Sequence, residues 1–133
     1  MTKYISTYLA MLTTFLGLDL LWLGWVAKSL YQKQLGHLMR EDIQWTAALI
    51  FYSLFVVGVF IFAVLPGHEK NSFWHSAILG GLFGFFTYMT FELTGFATLK
   101  SWPLQIVFVD IIWGIVLSSI VSLVGFWTLQ AFR

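Results

Sequence analysis

Three carboxylates, Asp19, Glu92 and Asp110, lie in stretches otherwise fit for hydrocarbon. Glu92 stands nine residues before Ser101 and Asp110 nine residues after it. The stretch that holds both, FTYMTFELTGFATLKSWPLQIVFVDIIWG (86–114), predicts two helices joined by a tight turn, Lys100-Ser101-Trp102-Pro103. At about 1.5 Å per residue, each acid sits on the order of 13 Å from that turn, at one depth. An ionised aspartate at the bilayer centre costs roughly 2.5–3.5 kcal/mol on insertion scales, so acids there usually have a function. Such groups can relay protons, hold a cation, or divide acid and base roles when one carboxyl is kept neutral.

The layer extends beyond the pair. Asp19 lies about eight residues before the predicted end of the first span, and Tyr52 about seven residues into the second. Each of four helices thus places a polar group roughly 10–12 Å below the face that carries the 28–44 and 100–102 loops. Asp19-Leu20-Leu21-Trp22 and Asp110-Ile111-Ile112-Trp113 repeat an Asp-x-x-Trp pattern, with each indole one turn after its acid. Tyr88 precedes Glu92 by one turn, and Gly81, Gly84, Tyr88, Glu92 and Gly95 share a stripe. Asp110, Gly114, Ser118 and Ser122 share another. Small residues permit close helix approach in lipid, so both acids are expected to face the bundle interior. Thr87, Thr90, Thr94 and Thr98 form a stripe that is expected to bond back to its own helix. No basic residue is expected at this level, since Lys28 reaches outward. The layer therefore implies a protonated carboxyl near neutral pH, a cationic ligand or entering water, or a hydrogen-bond network that only locks the bundle.

The elements that must position these groups follow from composition. The chain has 133 residues, with 10% charged and 59% apolar. Soluble domains carry about 25% charged residues, so this chain could not cover a soluble surface. Four apolar segments, about 4–27, 45–65, 74–99 and 103–130, each have the roughly 20 residues a span requires. Pro66-Gly67 is expected to stop the second helix, and Pro103 suits a first turn. In 28–44, Leu30, Tyr31, Leu35, Leu38 and Met39 recur near helical spacing, with Lys33, Gln34 and Arg40 between them, which predicts a short interfacial helix. The fold class is therefore an all-α membrane protein. It is a single domain, a four-transmembrane-helix bundle with a short interfacial amphipathic helix between helices 1 and 2. Trp25, Trp45, Trp74 and Trp102 fall near span ends, where an aromatic belt places them. Lys28, Lys33, Arg40 and Lys100 on the loop face, against Lys3, Lys70 and Arg133 opposite, lean the 28–44 and 100–102 loops toward the cytoplasm.

Other chemistries find little support. The apolar run after Lys3 exceeds the about 7–15 residues of a signal core and reads as a retained span. There is no cysteine, hence no disulfide or thiolate site. His37 and His68 are expected in loops and His75 at a helix start, so neither haem nor a metal is expected, and no cofactor. The net charge of +1 suggests no nucleic acid.

The segments Asp19-Leu20-Leu21-Trp22-Leu23-Gly24, Tyr31-Gln32-Lys33-Gln34-Leu35-Gly36, Phe51-Tyr52, Thr90-Phe91-Glu92-Leu93-Thr94, Ala97-Thr98-Leu99 with Trp102-Pro103, and Asp110-Ile111-Ile112-Trp113-Gly114 resemble those of the DUF2177 family of small bacterial membrane proteins. The resemblance spans nearly the whole chain. It implies a multi-pass protein of the bacterial inner membrane and points toward lipid-related ligands. The family pattern Tyr-Asp-Leu-Thr-Asn appears here as Phe91-Glu92-Leu93-Thr94-Gly95, which keeps the acid and loses the amide.

The function ranked first is binding or moving a lipophilic or amine-bearing molecule in a pocket lined by Asp19, Glu92, Asp110, Trp22, Tyr52, Tyr88 and Trp113 and approached from the loop face. A lipid-modifying enzyme with paired carboxylates comes second, ahead of a proton or cation pathway and an accessory subunit. Membrane lipids are the expected surroundings. Gly80-x-x-x-Gly84 is compatible with a homo-oligomer as well as with packing inside one chain.

Overall fold

The computed structural model describes residues 1–39 and 44–133. The part of the 28–44 segment that includes Arg40 therefore lies outside the described residues. Among the described residues, four helices are long and apolar enough to cross a membrane: Thr2–Val26, Trp45–Glu69, Phe73–Thr98 and Leu104–Gln130. No strand occurs among the described residues.

The first span is α1 (Thr2–Leu21), closed by a π-helical turn over Trp22–Val26. The added residue rotates everything after it by about 100° relative to a regular helix. The short helix α2 (Lys28–Leu35) follows at once, and a 3₁₀ turn, Gly36–Leu38, ends it. Instead of keeping only an outward charged face, α2 packs on the first turns of the last span. Tyr31 is buried against Ile106 and Ala27, and the Gln34 amide donates to Gln105 Oε1 at 3.0 Å.

The second span departs from the expected stop. Helix α3 (Trp45–Val59) passes through a π-helical turn at Phe60–Val64 into α4 (Leu65–Glu69). Pro66 has no N–H for the Phe62 carbonyl, and its ring presses on that carbonyl. Widening the preceding turn relieves both problems, so the helix continues to Glu69. His68 accordingly lies in a helical turn, where its carbonyl accepts from Arg133 Nη2 at 2.7 Å.

Ser72 caps α5 (Phe73–Thr98), its hydroxyl accepting from the His75 N–H at 3.2 Å. Helix α6 (Leu104–Gln130) begins after Pro103, which stands at the cap rather than inside the first turn. Ser101, at φ 62, makes the reversal between them tight.

Helices α5 and α6 form the most extensive pair. Small residues bring their backbones together: a methyl at Gly84 would fall on the Gly114 carbonyl and the Ser118 side chain, and one at Gly114 on the Tyr88 ring. Ser76 and Ser122 bond across the same seam, with Oγ–Oγ at 2.7 Å. The main core joins Met11 and Phe15 of α1 to Val56, Val59, Ala63 and Val64 of the second span and Leu117, Val121 and Leu129 of α6.

The backbone of the second span approaches α5 most closely at the π turn and α4, whereas α3 meets α5 mainly through rings, with the Phe55 centroid 5.2 Å from Phe83 and 6.1 Å from Tyr88. Its sequence explains the divergence. The contact half offers Gly58, against Phe83, and Gly67, against Ser76, while the other half carries Phe51, Tyr52 and Phe55. Bulky rings hold the helices apart toward the α2 end.

The packing yields a test. Gly84→Ala should destabilise the protein by about 1–3 kcal/mol through overpacking, whereas Gly17→Ala, at a site with nothing within 4 Å, should be neutral or mildly stabilising. Thermal unfolding in one detergent compares them; equal midpoints would contradict the close seam.

Candidate functional site

The divergence of α3 from α5 opens a cleft of about 510 Å³. Leu23, Phe51, Leu54, Phe55 and Phe91 supply its apolar wall, and Tyr52, Thr87 and Tyr88 add polar atoms. Asp19, Asp110 and Trp113 also line it. Leu23, Phe51, Leu54 and Phe91 are exposed on the outer surface, and Asp19 is buried. The cleft is therefore open to the outer surface of the bundle and reaches inward to Asp19.

Around the acids the two Asp-x-x-Trp segments are crossed. The Trp113 indole, one turn after Asp110, donates to Asp19 Oδ1 at 3.4 Å. The Trp22 indole, one turn after Asp19, donates to the Tyr31 hydroxyl at 3.3 Å, and that hydroxyl donates to Asp110 Oδ1 at 2.8 Å. The two indoles stack, with centroids 4.4 Å apart and planes 6° from parallel. Each tryptophan thus serves the acid of the other helix, directly or through one tyrosine. The Tyr52 hydroxyl faces Asp19 from α3.

Glu92 is 1% exposed and stands behind the cleft rather than on its wall. Trp102 Nε1 donates to its Oε1 at 3.0 Å. Trp102 lies flat on Gly95, where a side chain would meet the indole at about 3.0 Å.

Of the residues singled out in the sequence, Asp19, Tyr52, Tyr88, Asp110 and Trp113 line one cleft. Trp22 and Glu92 support it from behind. Gly81, Gly84, Gly95, Gly114, Ser118 and Ser122 are buried along the α5–α6 seam or its turn. Thr87, Thr90 and Thr98 bond back to carbonyls of their own helix at 2.6–2.8 Å. Two further residues, Tyr31 and Trp102, take roles that the sequence pattern does not suggest. The sequence pattern suits Tyr31 to the face of an interfacial helix and Trp102 to an aromatic belt, yet Tyr31 donates to the half-buried Asp110 and Trp102 to the buried Glu92. Tyr31 opens one of the family-like segments, which was the available clue.

Burial, reinforced by the Asp110 carboxylate, pushes the Tyr31 phenol above its ordinary value. It therefore remains a donor at neutral pH. Lys28, Lys33 and Lys100 are exposed, so among the described residues the acids are met by hydroxyl and indole donors instead of cations. No three His, Asp or Glu side chains among the described residues gather closely enough to hold a metal ion.

The Tyr31 bond predicts a pH dependence. Tyr31→Phe should lower stability by about 1.5–3 kcal/mol, the usual range for a hydrogen bond to a charged group. A phenol raised by folding contributes below its unfolded value, near about 10, and loses that contribution as pH rises further. The stability gap between wild type and Tyr31→Phe should be level to about pH 10 and shrink above it; a gap that widens in alkali would contradict the assignment.

Among known families, a family model described as "Predicted membrane protein (DUF2177)" matches residues 4–127. Comparison with curated proteins and with solved structures returns no match.

Proposed function

The chain belongs to the DUF2177 family of predicted membrane proteins, and from that premise we propose that it binds an amphiphile with an amine-like cationic head, taken sideways from the bilayer. The observation that carries this reading is the cleft, with apolar walls that reach the outer surface and two carboxyls at its depth. A cavity of about 300–1,000 Å³ with few polar groups is the usual form of a small-molecule site. An aliphatic chain would lie along Leu54, Phe55 and Phe91, part of it still in lipid. The head would reach Asp19 and Asp110, where a cation relieves the cost of charge in a low-dielectric setting. Trp113, Tyr52 and Tyr88 add aromatic rings to the lining, and such rings attract the same cation. A neutral lipid of the same shape would gain the apolar contacts alone.

Both binding and transbilayer movement begin with this step, so binding is the test. Protein in nanodiscs should bind dodecylamine saturably and at least about tenfold more tightly than dodecanol. Asp19→Asn and Asp110→Asn should each weaken amine binding about tenfold, or about 1.4 kcal/mol, and leave dodecanol unchanged. Thr87→Trp, which places an indole in the cleft, should weaken both ligands. Equal affinity for amine and alcohol, or indifference to both asparagine variants, would overturn the proposal.

A further inference from the structure

The polar atoms of the cleft are in the main acceptors. An ionised carboxylate offers about four acceptor sites and no donor. Asp19, only 8% exposed, receives the Trp113 indole at 3.4 Å on Oδ1, and Asp110 receives the Tyr31 hydroxyl at 2.8 Å on its own Oδ1. Both acids line the cleft, and most of their acceptor sites stay open even if the Tyr52 hydroxyl on the same wall gives its proton to Asp19. Tyr88 lines the cleft too, and its hydroxyl makes no hydrogen bond among the described residues. Ring faces are the other means of holding a cation, and here they are partly committed. Trp22 covers one face of Trp113, with centroids 4.4 Å apart. The Tyr88 ring lies against Gly114, where an added methyl would meet its carbons at 2.3–2.8 Å. The lining is less a cage of open rings than a set of unfilled oxygens.

We infer that the site selects a primary ammonium head over a methylated one, because the open oxygens of Asp19, Asp110 and Tyr88 take its N–H groups. This rests on the cleft being a cation site and names the kind of cation. A primary ammonium carries three donors and no acceptor, which matches a lining with acceptors in excess. Each methyl placed on the nitrogen removes one donor and leaves the oxygen it faced desolvated and unpaired. A site built on hydrogen bonds rejects a ligand that lacks them far more strongly than an apolar pocket rejects an extra methyl. A fully methylated head keeps its charge and loses every donor. Coulomb attraction therefore holds both heads, and the hydrogen bonds decide between them. Tyr88 is the specificity-determining residue, since its neutral hydroxyl adds an acceptor without adding charge.

Dodecylamine and its N-methyl, N,N-dimethyl and N,N,N-trimethyl forms are all cationic at neutral pH, so the series varies the donors at constant charge. Each is titrated into protein in nanodiscs of phosphatidylcholine, whose head has no N–H, and empty nanodiscs correct for partition. Wild type should bind the four with falling affinity, the trimethyl form at least about tenfold more weakly than dodecylamine. Tyr88→Phe, which deletes an acceptor but no internal hydrogen bond, should shrink that ratio about threefold to tenfold, because the trimethyl head has no bond there to lose. Equal affinity across the series would overturn the selection and leave the cation site standing. A ratio unchanged in Tyr88→Phe would assign the discrimination to head size and overturn the selection as well. Absence of saturable binding by all four would overturn both. Should Tyr88→Phe not fold, Asp19→Asn, which exchanges acceptor sites for an amide donor, takes its place with the same expected fall in the ratio and the same contrary result.

Discussion

A carboxyl carried into hydrocarbon has three remedies: a proton, a cation, or donors fixed around it. Water, the ordinary remedy, is scarce there, and each unanswered polar atom costs several kcal/mol. This protein brings three acids to one level and answers them with indole N–H and phenol O–H groups. Those donors come from three separate parts of the chain: α2, the α5–α6 turn, and α6. Satisfying the acids therefore fixes the relative placement of the helices near the α2 end. Most of the apolar core, by contrast, lies toward the opposite end, where Met11, Val64 and Leu129 pack.

This division explains the shape. Where glycine and serine line the contacts, α5, α6 and the π turn before α4 pack closely. Where Phe51, Tyr52 and Phe55 intervene, α3 stands away from α5 and a lateral cleft remains. In lipid no hydrophobic force pulls helices together, so large side chains at an interface hold a gap that water would otherwise close. The stacked Trp22 and Trp113 brace the floor of that gap from α1 and α6. A pocket formed this way presents its apolar wall to the membrane and its polar floor to whatever enters from it.

Much of this was legible in the residues. The four spans follow from hydropathy and length, and the common depth of Asp19, Tyr52, Glu92 and Asp110 follows from helical rise alone. The small-residue stripes marked the α5–α6 seam, and Thr87, Thr90 and Thr98 of the threonine stripe bond to their own helix as their positions suggested. Three features depended on information that local pattern does not hold. The aim of Tyr31 depends on how α2 folds back after the π turn, so its helical spacing alone suited an interfacial face equally well. Trp102 sits where belt tryptophans sit, and only the positive φ of Ser101 turns it onto Gly95 and Glu92. Pro66 is an ordinary stop, yet the widened turn before it carries the helix onward. The lateral opening is likewise a property of two diverging helices and belongs to neither sequence segment alone.

The central claim is that the cleft between α3 and α5 holds an amphiphile head-first against the acids. The most direct measurement is an experimental structure of the protein extracted in native lipids without detergent exchange. It should show elongated non-protein density in the cleft, with a compact end at Asp19 and Asp110 and a tail that leaves between Leu54 and Phe91. A cleft closed by contact of Phe55 with Phe91, with the acids sealed in a dry network and no density between them, would contradict it.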